Sequence, residues 1–454
     1  MEKMLIRCGT SPLDNFNPSK MIVRNSIGNN IGNLVYQFSI FRALLKKDVS
    51  LVSDYYGVDR GYITSANSKK INKNYSAYIC PMANSFRDNF IKKLNRFTEL
   101  FKSLDIPIII PGIGLSADLK SDGYENFSFD QDVINFVESI TENGNIVGVR
   151  GNVTGNYLSN LGFTKKEFMV IGCPSMFTFG NHLKIKDFII DENSKISLNS
   201  APYGHLIEEI ISKTMNDFSN YYFIPQTKSE LKLCYLGKPS LKFKNHNYPT
   251  NMESDSYKNN RVKVPISVYT WIKFLKSVDL SFGARLHGNI MAAISGTPSI
   301  MIVKDARMKD VSEYHDLTRI YKEDLNELNS IQDIIDNVNF KSPLKNHEKL
   351  FKNYLKFWKK NNIKTVFDQD INVKRVYIDK FIEKIPYMPP VETISNLEKE
   401  EFNNRIKEYR SEKKIWKNKK YQIKKKNEFE QIKSMKIGKN KISKLINFYK
   451  KYNY

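Results

Sequence analysis

SFGARLHGNIMAAISGTPSIMIV, residues 281–303, reads as a strand, a helix and a second strand in direct succession. Apolar residues alternate up to Phe282, as they do in a strand, and Ile290 and Ile294 lie four residues apart, as on one face of a helix. Gly296 then provides the stop that commonly ends a helix. A strand, a helix and a strand in this order predict a parallel sheet that is covered by helices.

The same alternation of strands and helices runs through most of the chain and breaks once. It extends over residues 1–180, stops in the polar segment FGNHLKIKD, and restarts after residue 190. We therefore predict an α/β protein with two doubly wound Rossmann-like domains that face each other across a cleft. The predicted parts are an N-terminal Rossmann-like domain (1–180), a C-terminal Rossmann-like domain (190–345), a helical return segment (346–385) and a Lys-rich helical tail (390–454).

Composition and charge narrow the class of protein. Of the 454 residues, 41% are hydrophobic, and no apolar run is long enough to predict a membrane-spanning helix. The N-terminus has no long apolar segment of the secretory type, so we expect a cytoplasmic location. The net charge is +23, and the segment 401–454 carries 18 Lys and Arg against 5 Asp and Glu. Four widely spaced cysteines and six scattered histidines predict reduced thiols and no structural metal.

Arg285 and His287 stand where the strand before them ends and the helix after them begins. Ligands bind at this edge of an open parallel sheet, and the backbone N–H groups at a helix start favour an anion. An arginine supplies paired donors for a carboxylate or a phosphate, and a histidine transfers a proton near neutral pH. In the alternative interpretation, Arg285 forms an ordinary salt bridge and His287 only caps the helix. The predicted position at the ligand edge favours the functional interpretation.

VGVRGN, residues 147–152, repeats this arrangement in the first domain. Arg150 also follows an apolar strand and precedes a helix, and its alternative role is to cap that helix while bridged to a carboxylate. A third basic cluster follows the strand SIMIV and contains Lys304 and Arg307. Together with Arg285 and Arg150, these residues are predicted to surround one compact dianion.

These residues resemble the signature of the polysaccharide pyruvyl transferase family. Members show an Arg-Leu-His-Gly/Ala motif, a proline eleven residues beyond the histidine, an apolar strand and an Asp-x-basic turn. Here the matching positions are residues 285–288, Pro298 and residues 305–307. The run GVRGNVTGNYLSNLG (148–162) is similar to a second segment of the family, and the resemblance covers roughly residues 20–325.

The resemblance implies a fold of the two-domain GT-B type and a transferase activity. Members of the family move a pyruvyl group from phosphoenolpyruvate to two hydroxyls of a sugar, which gives a cyclic pyruvate ketal. The resemblance assigns His287 as the catalytic proton donor or acceptor, Arg285 as a donor-binding group and Arg307 as the downstream basic residue. It implies phosphoenolpyruvate as donor substrate, a glycan or lipid-linked oligosaccharide as acceptor, and no metal or organic cofactor.

The sequence departs from the family pattern at several positions. The family's Gly-Asn-x-Gly-Asp motif reads GNNIGN (28–33) in this chain, ahead of a predicted amphipathic helix. Asn30 and Asn33 are candidate substrate-binding residues on this match, and Asn33 stands where an acid is common. Cys173 replaces the usual aspartate before a proline, and Gly151 replaces the acid after the first-domain arginine.

The end of the tail, KISKLINFYKKYNY (441–454), places apolar residues on one helical face with lysines around it. This pattern is typical of a helix on an anionic membrane surface, and a lipid-linked acceptor would place the protein at the inner face of the membrane. The alternative is a solvated lysine-rich helix. Nucleic-acid binding is not expected, because no recognised nucleic-acid module accompanies the lysines and aromatic residues of the tail.

Two other functions stay open at this point. The first is a nucleotide-sugar glycosyltransferase of the same architecture, for which no ribose-binding acid can be assigned. The second is a protein without catalytic activity that uses its basic tail to bind a membrane or a nucleic acid. Turnover of phosphoenolpyruvate separates the first from a pyruvyl transferase, and removal of residues 390–454 is expected to separate the second.

Overall fold

The computed structural model describes residues 1–119, 124, 126–200, 205–242, 248–328 and 330–434. These residues form two α/β domains with parallel sheets, a return segment and a long helical tail.

The strands of the first domain are parallel and form two sheets, in the orders β2-β1-β3-β4 and β5-β6-β7. Only Ile110 separates the end of β4 from the start of β5 along the chain. The strands are β1 (Glu2–Ile6), β2 (Val49–Ser53), β3 (Ala77–Ile79), β4 (Ile108–Ile109), β5 (Pro111–Ile113), β6 (Val147–Val149) and β7 (Phe168–Val170). The helices between them are α1 (Pro18–Arg24), α2 (Gly32–Leu44), α3 (Ser68–Asn74), α4 (Ile91–Phe101), α5 (Asp130–Thr141) and α6 (Asn152–Asn160). Most of the apolar side chains on these strands are buried, as expected for a parallel sheet that is covered on both faces.

The second domain has a parallel sheet in the order β13-β12-β11-β8-β9. Its strands are β8 (Ile196–Asn199), β9 (Tyr221–Phe223), β11 (Leu280–Gly283), β12 (Ser299–Val303) and β13 (Arg319–Tyr321), with the short β10 (Lys263–Val264) outside this sheet. Its helices are α7 (His205–Asp217), α8 (Lys228–Leu236), α9 (Asp255–Lys258), α10 (Val268–Leu275), α11 (Leu286–Ser295), α12 (Ala306–Tyr314) and α13 (Ile331–Asp336). The predicted strand, helix and strand at 281–303 are therefore β11, α11 and β12.

Helix α2 joins the two domains. The sequence predicts an amphipathic helix here, but the structure buries almost all of α2 between Gly32 and Leu44. It packs on the 3-10 turn Pro174–Phe177 of the first domain and on α10 and α11 of the second. A helix that is covered on all sides belongs to a core, so a single apolar cluster runs through both domains.

The return segment and the tail follow the second domain. They contain α14 (Ser342–Lys345), α15 (His347–Lys360), α16 (Asp379–Ile382), β14 (Val391–Glu392) and α17 (Lys399–Ser434). Strand β14 pairs antiparallel with β10, which fixes the start of the tail to the second domain. Further 3-10 turns span Ser65–Asn67, Asp88–Phe90, Lys322–Asn326 and Ile394–Asn396. The predicted membrane-binding segment 441–454 lies outside the described residues.

The first half of α17 is part of the folded body. The Glu408 carboxylate accepts hydrogen bonds from Asn17 and Ser19 of the first domain and from the Tyr235 hydroxyl of the second, the last at 2.6 Å. The Glu412 carboxylate forms an ion pair with Arg24 at 2.6 Å. Within the described part of the chain, no helix combines the length and the apolar character that crossing a membrane requires.

Candidate active site

Two strand ends of the two domains face each other across a cavity. In the second domain, β11 ends at Gly283, Arg285 precedes α11, and His287 lies in the first turn of that helix. In the first domain, β6 ends at Val149 and Arg150 follows directly. The sequence-predicted position of these side chains at the carboxyl ends of parallel strands is the position in which ligands bind in α/β sheets.

The cavity between these strand ends has a volume of about 350 Å³, and we call it the basic cavity. It is lined by Arg7, Asn25, Gly28, Asn29, Asn30, Asn33, Tyr56, Asp59, Arg60, Ala83, Asn84, Ser85, Arg87, Phe90, Lys93, Arg150, Leu286, His287 and Arg307. The structure thus brings together five of the predicted site residues, namely Arg150, His287, Arg307, Asn30 and Asn33.

His287 lies against the first residue of α2. A side-chain carbon added to Gly32 would come within 2.7 Å of His287 Nδ1 and 2.8 Å of its Cβ, so the imidazole occupies the space that a larger residue would fill. The Nε2 atom is buried and has no hydrogen-bond partner among the described residues. Burial and the charges of Arg150 and Arg307 hold the pKa of His287 well below its usual range, so the imidazole is neutral at pH 7.

Arg150 is a buried cation without a carboxylate partner in the described part of the chain. Its side chain lies over the ring of Tyr36, with the guanidinium carbon 4.9 Å from the ring centroid, and Nη2 donates a hydrogen bond to Cys173 Sγ at 3.3 Å. The Nε and Nη1 atoms are buried and have no hydrogen-bond partner in that same part. Cys173, at the position of the family's aspartate, gives the guanidinium no counter-charge, and the predicted alternative of a bridge to a carboxylate is not what Arg150 forms.

A carboxylate of the second domain caps the helix that follows Arg150. Asp310 of α12 accepts hydrogen bonds from the backbone N–H of Val153 at 2.8 Å and from the Thr154 hydroxyl at 2.5 Å. A side chain at Gly151 would collide with this carboxylate, since its Cβ would lie 2.1 Å from Asp310 Oδ1. Asp310 thus caps α6, the helix that follows Arg150, and ties the two domains together.

Arg307 occupies the wall of the basic cavity that the second domain provides. Its Nη2 atom donates to Asp305 Oδ2 at 3.0 Å, and its Nε atom is buried without a partner among the residues that the structure describes. Asp305 itself caps α12 by accepting a hydrogen bond from the N–H of Met308 at 2.9 Å. Arg307 is therefore held by a side chain that is fixed to the helix start.

Arg285 and Lys304 do not line the basic cavity. Arg285 Nε donates to the Ser200 carbonyl at 2.5 Å, and Nη2 lies 3.5 Å from the Glu230 carboxylate, so Arg285 forms the salt bridge of the alternative interpretation. Burial and the charge of Arg285 lower the pKa of Lys304 to about 8. These two cations lie in the second domain beside Glu208, whose pKa burial raises to about 7.

Asn30 and Asn33 shape the loop that enters the cavity. Asn30 Oδ1 accepts from the N–H of Gly32 at 2.7 Å, and Asn33 Nδ2 donates to the Ile27 carbonyl at 2.9 Å. The loop is fixed to the second domain by the N–H of Ile31, which donates to the Gln226 carbonyl at 2.9 Å. Both asparagines line the cavity, and their hydrogen bonds to the backbone hold its wall in place.

The sequence reasoning missed the cations that the first domain adds. They are Arg7, Arg60, Arg87 and Lys93. Arg7 follows β1 and is paired with Asp59 by two hydrogen bonds of 2.7 and 3.0 Å. A basic residue directly after an apolar strand is the same signal that identifies Arg150, so Arg7 could have been predicted from the sequence. Arg60, Arg87 and Lys93 lie farther from any strand end and carry no such signal.

Two Rossmann-like domains that face each other across a ligand cavity define the GT-B class of architecture. The model of the family described as "Polysaccharide pyruvyl transferase" matches residues 30–305, which is most of the chain. The protein belongs to the polysaccharide pyruvyl transferase family. The match includes Arg150, His287 and the start of the basic cluster that contains Arg307.

Solved structures with similar folds are distant from this chain. UDP-GlcNAc 2-epimerase of Methanocaldococcus jannaschii has 11% sequence identity and a TM-score of 0.40, with 78% of this chain and 98% of that chain covered. UDP-N-acetylglucosamine 2-epimerase of Rickettsia bellii has 10% identity and a TM-score of 0.42, with 84% and 98% covered. No curated protein matches the sequence. Similarity at this level carries no information about the reaction.

Proposed function

We propose that the protein transfers a pyruvyl group from phosphoenolpyruvate to two hydroxyls of a sugar and forms a cyclic pyruvate ketal. One observation supports this most strongly: Arg150, Arg307 and His287 line one cavity, and each has a buried nitrogen without a partner in the described residues. Buried polar atoms without partners are costly, and a site that keeps two guanidinium groups in this state beside an imidazole is suited to an anionic ligand. Phosphoenolpyruvate carries a carboxylate and a phosphate, and guanidinium groups bind both.

In this proposal the basic cavity holds the donor beside a neutral imidazole. His287 accepts a proton when the donor binds and passes it to C3 of the donor, which leaves a cation at C2. The oxygen of the first sugar hydroxyl then bonds to C2, and the hydroxyl proton returns to His287. The bound anions of the donor offset the charges that lower the pKa of His287, which makes the imidazole a better proton acceptor. The second hydroxyl then attacks C2, the C–O bond to phosphate breaks, and the second proton leaves with the phosphate. The arginines stabilise the negative charge of the departing phosphate, and the steps need no metal or organic cofactor.

We propose further that the acceptor is a sugar of a surface polysaccharide or of its lipid-linked precursor, and that the reaction takes place in the cytoplasm. The segment 441–454 would then bind the anionic inner face of the membrane, where a lipid-linked acceptor lies. A vesicle sedimentation assay tests this part. Binding to phosphatidylglycerol vesicles is expected for the full chain and not for a chain that ends at residue 423.

The test of the reaction is release of phosphate from phosphoenolpyruvate in the presence of a glycan acceptor, with mass spectrometry of the product. We expect His287→Asn to lower kcat by a factor of about 10²–10⁴, since a general acid-base group contributes that much. Arg150→Gln is expected to weaken donor binding, and Arg375→Gln, at an exposed arginine outside the cavity, serves as the control. Transfer from a nucleotide sugar without consumption of phosphoenolpyruvate would instead establish the glycosyltransferase alternative.

A further inference from the structure

The basic cavity holds more positive charge than the proposed donor can neutralise. Its ionised lining residues are Arg7, Arg60, Arg87, Lys93, Arg150, Arg307 and Asp59. Six cations and one carboxylate give this lining a net charge of +5, and the Asp305 carboxylate, which is paired with Arg307, reduces it to +4. A phosphate and a carboxylate together carry about three negative charges, so a bound donor leaves about one positive charge without a counter-charge.

The cations are spread along the cavity from the second domain to the first. Arg150 and Arg307 are close enough to His287 to lower its pKa. Burial lowers the pKa of Arg87, and Arg307 adds to this effect from the side of His287. Burial also lowers the pKa of Lys93, to which Arg87 contributes as well. Ring contacts connect the cations of the first domain: Arg87 and Lys93 lie 5.8 and 5.4 Å from the ring centroid of Phe90, and Arg7 lies 5.7 Å from it. Arg7 and Arg60 in turn lie 5.1 and 5.9 Å from the ring centroid of Tyr56.

The cations at the first-domain end are held without carboxylate partners among the described residues. Arg87 Nε is buried and has no hydrogen-bond partner there. Arg60 donates to the backbone carbonyls of Arg24 at 2.5 Å and of Tyr55 at 2.8 Å, and its guanidinium carbon lies 5.5 Å from the ring centroid of Trp416. Neutral carbonyls and an aromatic ring fix the direction of a guanidinium but leave its charge in place. The Asp59 carboxylate is engaged by Arg7.

We propose that Arg60, Arg87 and Lys93 form a second anion subsite, which holds a phosphate or carboxylate of the acceptor while the donor lies beside His287. The inference rests on the proposed function for the identity of the first anion. It gives the acceptor a chemical class, namely a sugar that carries its own anionic group. A neutral glycan, in contrast, would leave part of the basic cavity without a counter-charge.

The experiment uses inorganic pyrophosphate as the probe and the full-length protein saturated with phosphoenolpyruvate. Isothermal titration calorimetry is expected to show pyrophosphate binding to the saturated protein, with the affinity for phosphoenolpyruvate changed less than about threefold. Lys93→Gln and Arg60→Gln are each expected to weaken pyrophosphate binding by about tenfold or more, because a charged hydrogen bond is lost. Lys92→Gln is the matched control, since Lys92 is the neighbouring exposed residue on α4 and does not line the cavity.

The results separate this inference from the proposed function. If pyrophosphate simply displaces phosphoenolpyruvate, or if Lys93→Gln weakens both ligands equally, the cavity has one anion site and the inference is wrong. If wild-type protein does not bind phosphoenolpyruvate, the proposed donor is wrong. In that case selective weakening of pyrophosphate binding by Lys93→Gln, with Arg150→Gln unaffected, would still support the subsite.

Discussion

Gly32 and His287 are the pair of residues on which the geometry of the site depends most directly. Helix α2 begins at Gly32, and the absence of a side chain there lets the imidazole pack against the helix backbone. The contact positions a group that belongs to the second domain by means of a helix that belongs to the first. A residue that is chemically inert thus sets the position of the residue proposed to transfer protons.

Gly32→Ala tests this role. The added carbon would lie 2.7 Å from His287 Nδ1, so the imidazole must move, whereas a helical alanine costs the backbone nothing. We expect kcat to fall by about tenfold or more, because small displacements of a catalytic group have large effects. The melting temperature is expected to fall as well, because the added carbon would lie 2.8 Å from His287 Cβ, which moves only together with its backbone. Ser39→Ala on the same helix is the control, and equal kcat losses in both variants would contradict a specific role of Gly32.

At the scale of elements, α6 and α12 form one of the contacts between the two domains. The Asp310 carboxylate satisfies the first N–H groups of α6 although it is only 2% exposed. Burial raises the pKa of this carboxyl to about 6, against a usual value near 3.9. The folded protein therefore binds a proton at Asp310 more tightly than the unfolded chain does.

The pH dependence of Asp310→Asn follows from this difference. The protonated carboxyl contributes its full stability below the unfolded pKa, and this contribution is lost as the pH rises through about 6. The loss of unfolding free energy in Asp310→Asn should therefore be larger at pH 4.5 than at pH 7.5, by roughly 2 kcal/mol. Urea unfolding at both pH values measures it. A difference that is independent of pH would mean that the carboxyl is not perturbed in the folded state.

On the scale of the whole molecule, the first half of α17 contacts both domains and supports one wall of the basic cavity. Glu408 connects α1 of the first domain with α8 of the second, and Trp416 packs against Arg60 of the basic cavity. Removal of residues 390–454 would also remove these contacts, so a boundary beyond residue 416 is better suited to test the end of the tail alone.

Two truncations separate the role of the first half of α17, which contacts the domains, from the role of the end of the tail. A chain that ends at residue 423 keeps Glu408, Glu412 and Trp416, so we expect its stability and turnover of a soluble acceptor to be unchanged. A chain that ends at residue 398 loses the whole of α17 and is expected to unfold at a lower temperature and to lose turnover. Calorimetric melting and phosphate release measure the two properties. Normal turnover of the shorter chain would show that α17 does not support the cavity.

How well a feature could be predicted from the sequence depends on how far apart along the chain the interacting residues lie. The strand and helix pattern around residue 281 and the GT-B class were predictable, because both follow from local apolar spacing and from the family motif. The convergence of Arg150 and His287 was predictable because each follows the carboxyl end of a strand in its own sheet, and the two domains were predicted to face each other across a cleft. The direction of the Arg285 side chain was not, since its partner Glu230 is far away in the sequence and only tertiary packing joins them.

Other features depended on contacts that no local pattern encodes. Asp310 caps the helix that follows Arg150 from the second domain, and this contact is visible only when α6 and α12 are seen together. Helix α2 has an apolar stripe in sequence, yet a second domain covers its other side. The first-domain cations of the cavity come from segments without a recognisable motif, so their number could not be anticipated.

The stacking of Trp416 on Arg60 gives the protein a built-in optical reporter. The chain contains three tryptophans, of which Trp271 and Trp358 are sealed in the interior. Trp416 alone lies beside cavity and tail cations, with the guanidinium carbons of Arg60 and Arg24 at 5.5 and 5.6 Å from its ring. An anion that reaches Arg60 would change the electric field at this indole, so we expect binding in the basic cavity to change the intrinsic fluorescence of the unlabelled protein.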